Sequence, residues 1–281
     1  MAARDLARNG RNGRSGRRAR QGKRGLPALV ALLLLAALAG APPGRAQVPG
    51  AATIRPADPY PPDDPYLALR QRMVDEQIRR RQVSEPAVLA AMERVPRHLF
   101  VPAAERGEAY RDTALPIGEG QTISQPYIVA LMTSLLDAGR GDRVLEIGTG
   151  SGYHAAVLAH VAGEVYTIEI VPELADRARR TLGGLGYGNV HVRTGDGYRG
   201  WAEEAPFDAI LLTAAPREVP PPLLAQLKPG GRLVAPLGAS GEGAGPQELE
   251  VLTKRADGGV DRRRVLPCRF VPMTGEAESR R

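Results

Sequence analysis

The ten residues from Val144 to Tyr153, VLEIGTGSGY, constrain the fold of this chain more than any other segment. Apolar residues around one acid, Glu146, are typical of a strand that is buried in a parallel sheet. Glycines follow at positions 148, 150 and 152, ahead of the apolar helical segment AAVLAHVAG. Glycine suits such a turn because its backbone accepts positive φ and lets a ligand approach without a Cβ in the way. The segment therefore predicts a strand, a tight turn and a helix.

Strand and helix patterns alternate through the middle of the chain. The strand patterns are RVLEIGT, EVYTIEI, NVHVRTG, FDAILLTAA and GGRLVAPL, and the helical patterns between them are YHAAVLAHV, ELADRARRTLGGL and PPLLAQL. This alternation predicts an α/β fold, a doubly wound and mostly parallel sheet with helices on both faces.

The two ends of this region differ from its middle. LALRQRMVDEQIRRR and EPAVLAAMERV predict an N-terminal helical cap, with Ser84 as the N-cap of the second helix. LPIGEGQ reads as a loop, and a further helix is expected from Ser124 to Leu136. Near the C-terminus no helix separates the last two strands, and Asp257-Gly258-Gly259 supplies a hairpin turn, which predicts an antiparallel edge.

The net charge of +7 is concentrated at the N-terminus. The first 25 residues hold nine Lys or Arg and one Asp, which leaves the rest of the chain with a net charge of −1. A basic groove for phosphates is therefore not indicated, and we expect no nucleic-acid partner.

A charge-free apolar run, Leu26 to Ala41, follows the basic residues. It is shorter than the roughly 20 residues that span a membrane, and with the small residues after it this run matches a secretory signal cleaved after Ala46. We expect residues 1–46 to engage the export machinery or the membrane and to place the chain in the periplasm or envelope. An uncleaved anchor and a start codon assigned too early are the alternatives. Residues 47–66 are then a Pro-rich linker, 67–275 the folded domain and 276–281 a tail.

Three strand ends in the expected sheet carry polar or glycine residues that a core does not require. They are the glycine turn, Glu169 after the second strand, and Gly195-Asp196-Gly197 after the third. In a doubly wound sheet the ligand lies at the carboxyl ends of the strands. The GxGxG spacing differs from the GxGxxG that cradles a dinucleotide pyrophosphate, and a nucleoside without phosphates, such as S-adenosylmethionine, fits it better. The histidines form no metal-ligand pattern, so no metal is expected.

Two interpretations of Ser124 remain open on the residues alone. A serine at the start of a helix is commonly an N-cap, which contributes about 1 kcal/mol to stability. The alternative is a substrate-binding hydroxyl in the loop QTISQPY.

The segments ALPIGEGQTISQPY, VLEIGTGSGY, GDGYRGW, APFDAILLTAA and LLAQLKPGGRLVAPLG, in this order, resemble the protein-L-isoaspartate O-methyltransferases. The resemblance runs from about Leu67 to Thr274. It implies a Rossmann-like methyltransferase fold and transfer of a methyl group from S-adenosylmethionine to the free carboxylate of L-isoaspartyl residues in damaged proteins and peptides. It also offers the cytoplasm, usual for the family, as the alternative location.

The resemblance further implies roles for particular residues, and we expect the chain to be a monomer. Ser124 matches the family's active-site serine. The positions matching its cofactor contacts are Thr122, Ser124, Glu146, Gly148, Thr149, Gly150, Gly152, Glu169, Gly195, Asp196, Gly197 and Thr274. The alternatives are a related methyltransferase acting on another carboxylate or a small molecule, and an envelope protein that binds S-adenosylmethionine or peptides without catalysis.

Overall fold

The computed structural model describes residues 64–239 and 245–279. The expected leader, and the linker as far as residue 63, lie outside the described residues, so the predictions made for them stay predictions. Within the described part, no helix is long and apolar enough to cross a membrane.

A seven-stranded sheet forms the centre of the fold, in the order β5-β4-β3-β6-β7-β8-β9. Neighbouring strands from β5 to β7 are parallel, and β8 and β9 add the antiparallel edge. The chain leaves β3 on one side and returns to its other side at β6, which makes the carboxyl end of β3 the switch point where such folds bind ligands. The strands are β3 (Arg143–Ile147), β4 (Glu164–Glu169), β5 (Val190–Thr194), β6 (Phe207–Leu212), β7 (Leu227–Leu237), β8 (Gln247–Lys254) and β9 (Val260–Cys268). The predicted fold class is confirmed.

Alternate residues of the central strands feed two separate hydrophobic cores. In β3, for example, Val144 belongs to one core and Leu145 to the other. The first core packs under α3, α4 and α5, and the second under the short α6, so helices cover both faces. These helices are α3 (Pro126–Leu136), α4 (Tyr153–Val161), α5 (Pro172–Gly184) and α6 (Pro221–Gln226).

The N-terminal cap lies against α3 and α4. It comprises α1 (Leu67–Met73), a π-helical segment (Val74–Ile78), a 3₁₀ turn (Arg79–Arg81) and α2 (Pro86–Arg94). The prediction of Ser84 as N-cap is wrong, because Pro86 occupies the first turn and Glu85 is the N-cap residue, without a side-chain cap bond.

The folded unit begins before the expected boundary at residue 67. Asp64 forms a buried ion pair with Arg70 at 3.0 Å, and the ring of Tyr66 stacks on His98 with 3.9 Å between centroids. At the other end, residues 276–279 form the short helix α7 (Glu276–Ser279), and Ala277 packs against the second core. Both segments are therefore part of the domain rather than linker and tail.

Two hairpins flank the sheet. The β8–β9 hairpin turns where Asp257-Gly258-Gly259 predicted it, with Lys254 paired to Val260. The segment that we expected to be a loop instead forms a separate two-stranded hairpin, β1 (Leu115–Gly118) with β2 (Gln121–Ile123). This small hairpin carries the chain directly into Ser124.

Candidate active site

A cavity lies at the carboxyl ends of β3, β4 and β6. It encloses about 840 Å³ of space, part of it open to solvent. Four segments supply most of its lining: residues 121–124, the turn 147–151, residues 168–171 after β4, and residues 271–274 near the C-terminus. Eight of the twelve positions expected to contact a cofactor line this cavity: Thr122, Ser124, Gly148, Thr149, Gly150, Glu169, Gly197 and Thr274. Pairing of Ile147 with both Ile168 and Leu212 brings the strand ends together.

The glycine turn needs its glycines for two different reasons. Gly148 has φ +98° and Gly150 has φ +54°, values that side chains disfavour. A Cβ on Gly148 would also lie 2.3 Å from Thr213 Oγ1. At Gly152 (φ +86°), by contrast, a Cβ would press on Leu182 and Ala178 of α5. Gly152 does not line the cavity, and it permits close packing of α4 on α5; the expected cofactor contact stays a prediction.

Glu169 organises the turn from the neighbouring strand. Its Oε2 accepts a hydrogen bond from the Gly150 N–H at 2.7 Å, and its Oε1 accepts one from the Val171 N–H at 3.0 Å. The residue is 6 % exposed and lines the cavity. Because each carboxylate oxygen has a second lone pair, Glu169 can still accept from ligand hydroxyls.

Glu146 supports the turn from below. It is fully buried and does not line the cavity, and the expected cofactor contact stays a prediction. Thr167 Oγ1 donates to Glu146 Oε2 at 2.6 Å, and Thr149 Oγ1 lies 2.6 Å from Thr167 Oγ1. Either of these two hydroxyls can be the donor of the bond between them. The Glu146 carboxyl is thus linked to the glycine turn through the hydroxyls of Thr167 and Thr149. Burial raises the pKa of Glu146 to about 8, although the Thr167 hydrogen bond opposes this rise.

This raised pKa predicts a pH-dependent stability. The folded-state pKa of about 8 lies above the ordinary value of 4.5, so the neutral form contributes stability below pH 4.5 that is lost as pH rises toward 8. Glu146→Gln cannot ionise and its amide oxygen still accepts from Thr167. We expect the Tm of the variant, relative to the unsubstituted protein, to increase between pH 5 and pH 8. Thermal unfolding across that range measures the difference. Exposed Glu173→Gln is the control, and equal slopes for all three proteins would contradict the assignment.

Ser124 lies in the cavity wall and does not cap the helix. Helix α3 begins at Pro126 with Gln125 as its N-cap, so the N-cap interpretation of Ser124 is wrong. Ser124 is half-buried, and its hydroxyl makes no hydrogen bond to any other described residue. It is therefore free to donate to a ligand. Thr122 is exposed at the rim of the same wall.

At the third polar strand end, the Asp196 carboxylate accepts two backbone hydrogen bonds. Asp196 Oδ1 accepts from the Tyr198 N–H at 2.9 Å, and Oδ2 accepts from the Glu276 N–H at 2.8 Å. Neither Gly195 nor Asp196 lines the cavity, whereas Gly197 does. A Cβ on Gly197 would lie 2.3 Å from Ile147 Cγ2, so this glycine permits close approach to β3. Asp196 anchors the C-terminal segment in this structure.

The C-terminal segment also contributes to the cavity wall. Ala215 N–H donates to the Val271 carbonyl at 2.8 Å, and Met273 N–H donates to the Ala215 carbonyl at 2.9 Å. These bonds attach residues 271–273 to the chain just after β6 and bring Thr274 to the cavity, although it lies 150 residues from Ser124 in sequence. No periodicity in the sequence indicates this contact.

Sequence reasoning missed several other cavity residues. Ile170 follows Glu169 and is 38 % exposed, which leaves an apolar surface available to a planar ring. His154 also lines the cavity, but burial lowers its pKa to about 3. Its Nε2 lies 3.0 Å from Thr133 Oγ1, whose proton goes to the Val129 carbonyl, so Nε2 carries the hydrogen. His154 is thus a neutral residue of the cavity wall. In the described part of the chain, no group of three or more His, Cys, Asp or Glu is placed to hold a metal ion.

The cavity's chemistry fits a nucleoside that carries no pyrophosphate. At the glycine turn the backbone itself can approach a ligand, and a Cβ on Gly148 would clash. Glu169 offers acceptors for the ligand's hydroxyls, and Ile170 offers an apolar face. Together with the strand order, these features define the class of S-adenosylmethionine-dependent methyltransferases with a Rossmann-like sheet. Residues 68–278 match the family "Protein-L-isoaspartate(D-aspartate) O-methyltransferase (PCMT)". The chain belongs to this family.

Relatives match at high identity over most of their length. The Protein-L-isoaspartate O-methyltransferase of Gloeobacter violaceus is 57 % identical over 204 residues, covering 73 % of this chain and 98 % of the relative. Protein-L-isoaspartate O-methyltransferase 2 of Syntrophobacter fumaroxidans is 54 % identical over 225 residues, covering 76 % and 89 %.

Solved structures agree with the fold. A protein-L-isoaspartate O-methyltransferase matches with a TM-score of 0.65 at 29 % identity, covering 74 % of this chain and 67 % of that one. A Plasmodium falciparum protein described as a putative protein-L-isoaspartate O-methyltransferase, in complex with S-adenosyl-L-homocysteine, matches with a TM-score of 0.61 at 23 % identity, covering 73 % and 98 %.

Proposed function

We propose that this chain transfers a methyl group from S-adenosylmethionine to the free carboxylate of L-isoaspartyl residues in damaged proteins and peptides. The observation that carries the proposal is the meeting of Ser124's loop with the glycine turn in one cavity. Membership of the family, at over 50 % identity to relatives named for this activity, supports it.

In this proposal the cofactor half of the cavity is formed by the glycine turn, Glu169 and Ile170. When bound, S-adenosylmethionine supplies a methyl group on a positively charged sulfur. The substrate half is formed by Thr122 and Ser124. A carboxylate is already ionised at neutral pH, so no general base is needed. The Ser124 hydroxyl donates to the carboxylate, holds it in place and replaces part of its hydration shell.

One assay separates this function from its alternatives. Purified protein is given S-adenosylmethionine with a labelled methyl group, together with a peptide containing L-isoaspartate or its aspartyl isomer. Methyl transfer to the isoaspartyl peptide alone is the expected result. Transfer to other carboxylates, or binding of S-adenosylmethionine without transfer, would overturn the proposal and favour one of the two alternatives.

For location we propose export to the periplasm or envelope as a monomer. The support is the basic N-terminus followed by the charge-free run Leu26 to Ala41. The intact mass of the protein recovered from each cell fraction tests cleavage. A periplasmic species beginning at Gln47 is expected. A cytoplasmic species that keeps residues 1–46 would contradict export, and size-exclusion chromatography of the same sample tests the monomer.

A further inference from the structure

The β1–β2 hairpin carries the substrate half of the cavity but is not part of the main sheet. Its second strand contributes Gln121, Thr122 and Ile123 to the cavity wall and leads directly to Ser124. A two-stranded hairpin on its own is at best marginally stable in water. The position of Ser124 therefore depends on whatever fixes this hairpin to the rest of the domain.

The tip of the hairpin is conformationally unfavourable. Gly118, Glu119 and Gly120 have φ of +88°, +52° and +67°, three left-handed residues in succession. Positive φ at both loop residues suits the twist of a two-residue hairpin, but such a loop favours Asn, Asp or Gly at its first position rather than Glu. The surroundings must hold Glu119 in this conformation.

Packing beneath the hairpin is incomplete. A second cavity of about 410 Å³, part of it open to solvent, lies under Ile117 and is lined also by Leu99, Leu174 and Arg177. Ile117 itself is 1 % exposed. Leu115, Ile117 and Ile123 are buried in the first core, but close packing is interrupted at this cavity, so a direct bond from α5 can add to the restraint that packing supplies.

Arg177, in α5, supplies a direct bond across this gap. Its Nη1 donates to the Ile117 carbonyl at 2.6 Å, and a Cβ on Gly118 would lie 3.6 Å from its Nη2. Among the described residues no carboxylate forms an ion pair with Arg177, so its charge is not shared with an acid. Hydrogen bonds from a charged donor are stronger than neutral ones. The same helix begins just after Glu169, so the bond joins the two halves of the active-site cavity.

We propose that Arg177 is a positioning residue for the substrate. Its hydrogen bond to the Ile117 carbonyl holds the β1–β2 hairpin, and with it Thr122 and Ser124, in register with the cofactor half. This inference rests on the proposed function for its kinetic consequences, although the hairpin's restraint can be measured without them.

The test compares Arg177→Met and Arg177→Lys with Arg180→Met, an exposed arginine of the same helix, as the matched control. We expect the KM for an isoaspartyl peptide to rise about tenfold in Arg177→Met and less in Arg177→Lys, which keeps one charged donor. The kcat should fall as well, because the Ser124 hydroxyl is positioned less firmly, whereas the affinity for S-adenosylhomocysteine should stay within about twofold because the glycine turn and Glu169 are untouched. Arg180→Met should match the unsubstituted protein.

Two further measurements isolate the hairpin. Amide hydrogen exchange in residues 115–123 should be faster in Arg177→Met, whether or not the protein is active. Adding Glu119→Asn to Arg177→Met creates the favoured Asn-Gly turn and should reverse part of the rise in KM. Unchanged exchange and KM in Arg177→Met would overturn the inference, as would an equal loss of S-adenosylhomocysteine affinity or no recovery with Glu119→Asn. Absence of methyl transfer by the unsubstituted protein would instead overturn the proposed function, and hydrogen exchange would then decide the role of Arg177.

Discussion

Replacing Ser124 with Ala is expected to lower kcat on an isoaspartyl peptide by about 100-fold, because the hydroxyl that positions the carboxylate for attack on the methyl group is lost. The structure explains why the hydroxyl is available for this role. Helix α3 is capped by Gln125, and Ser124 lies in the cavity wall without a hydrogen bond to another described residue. Steady-state kinetics at saturating S-adenosylmethionine measure the change.

A matched control shows whether a fall in kcat is specific to Ser124 or a general effect of replacing a serine in this part of the chain. Ser134 lies in α3, is half-buried and does not line the cavity, so Ser134→Ala should retain full turnover. Ser124→Ala should bind S-adenosylhomocysteine with little change in calorimetry, because the glycine turn and Glu169 are untouched. Unchanged kcat in Ser124→Ala would remove the hydroxyl from the mechanism. Loss of cofactor binding would assign it to the cofactor instead.

The parts of the fold that could be predicted are those specified by neighbouring residues in sequence. The residues from Val144 to Ile147 are buried and, apart from Glu146, apolar, which is typical of a strand covered on both faces of its sheet. The glycines that follow need positive φ, which the spacing alone suggested. The Asp257-Gly258-Gly259 turn likewise fixes the β8–β9 register locally.

The errors arose where local signals compete or where the partner is distant. Ser84 and Ser124 both resemble N-caps, but in each case a proline two residues later occupies the first turn of the helix and the intervening residue takes the cap position. The β1–β2 hairpin was missed because its loop residue Glu119 is atypical for that turn.

Asp196 shows the limit set by distance in sequence. Its carboxylate follows a strand end, where a ligand contact is expected, and one oxygen also accepts from the Glu276 N–H, 80 residues later, a contact that the local sequence does not indicate. Glu146 shows a related limit. The acid in the glycine motif is buried below the turn and acts through Thr167 and Thr149, which a linear motif cannot distinguish from direct contact.

Replacing Glu169 with Ala is expected to weaken S-adenosylhomocysteine binding by about 100-fold. The substitution leaves the N–H groups of Gly150 and Val171 without their acceptor, and it removes the acceptors proposed for the ligand's hydroxyls. The unpaired N–H groups lower the stability of free and liganded protein alike, whereas the acceptors for the ligand's hydroxyls are lost only in the complex. Hydrogen bonds to a charged group contribute about 1.5–3 kcal/mol, and about 3 kcal/mol corresponds to roughly 100-fold in Kd. Glu169→Gln keeps one oxygen acceptor and should lose less, about tenfold.

The two variants are compared by calorimetric titration with Glu173→Ala, which removes an exposed acid four residues along the chain. This comparison separates a specific effect on ligand binding from a general effect of removing a negative charge. Unfolding without ligand adds a second readout. If Glu169 only shapes the turn, its loss should lower the Tm of the free protein and leave the ligand-induced rise in Tm unchanged. If it also accepts from the ligand, that rise should shrink, since stabilisation by a ligand falls as its Kd increases. An undiminished rise would exclude Glu169 from the cofactor contacts and leave the glycine turn and Ile170 to supply them.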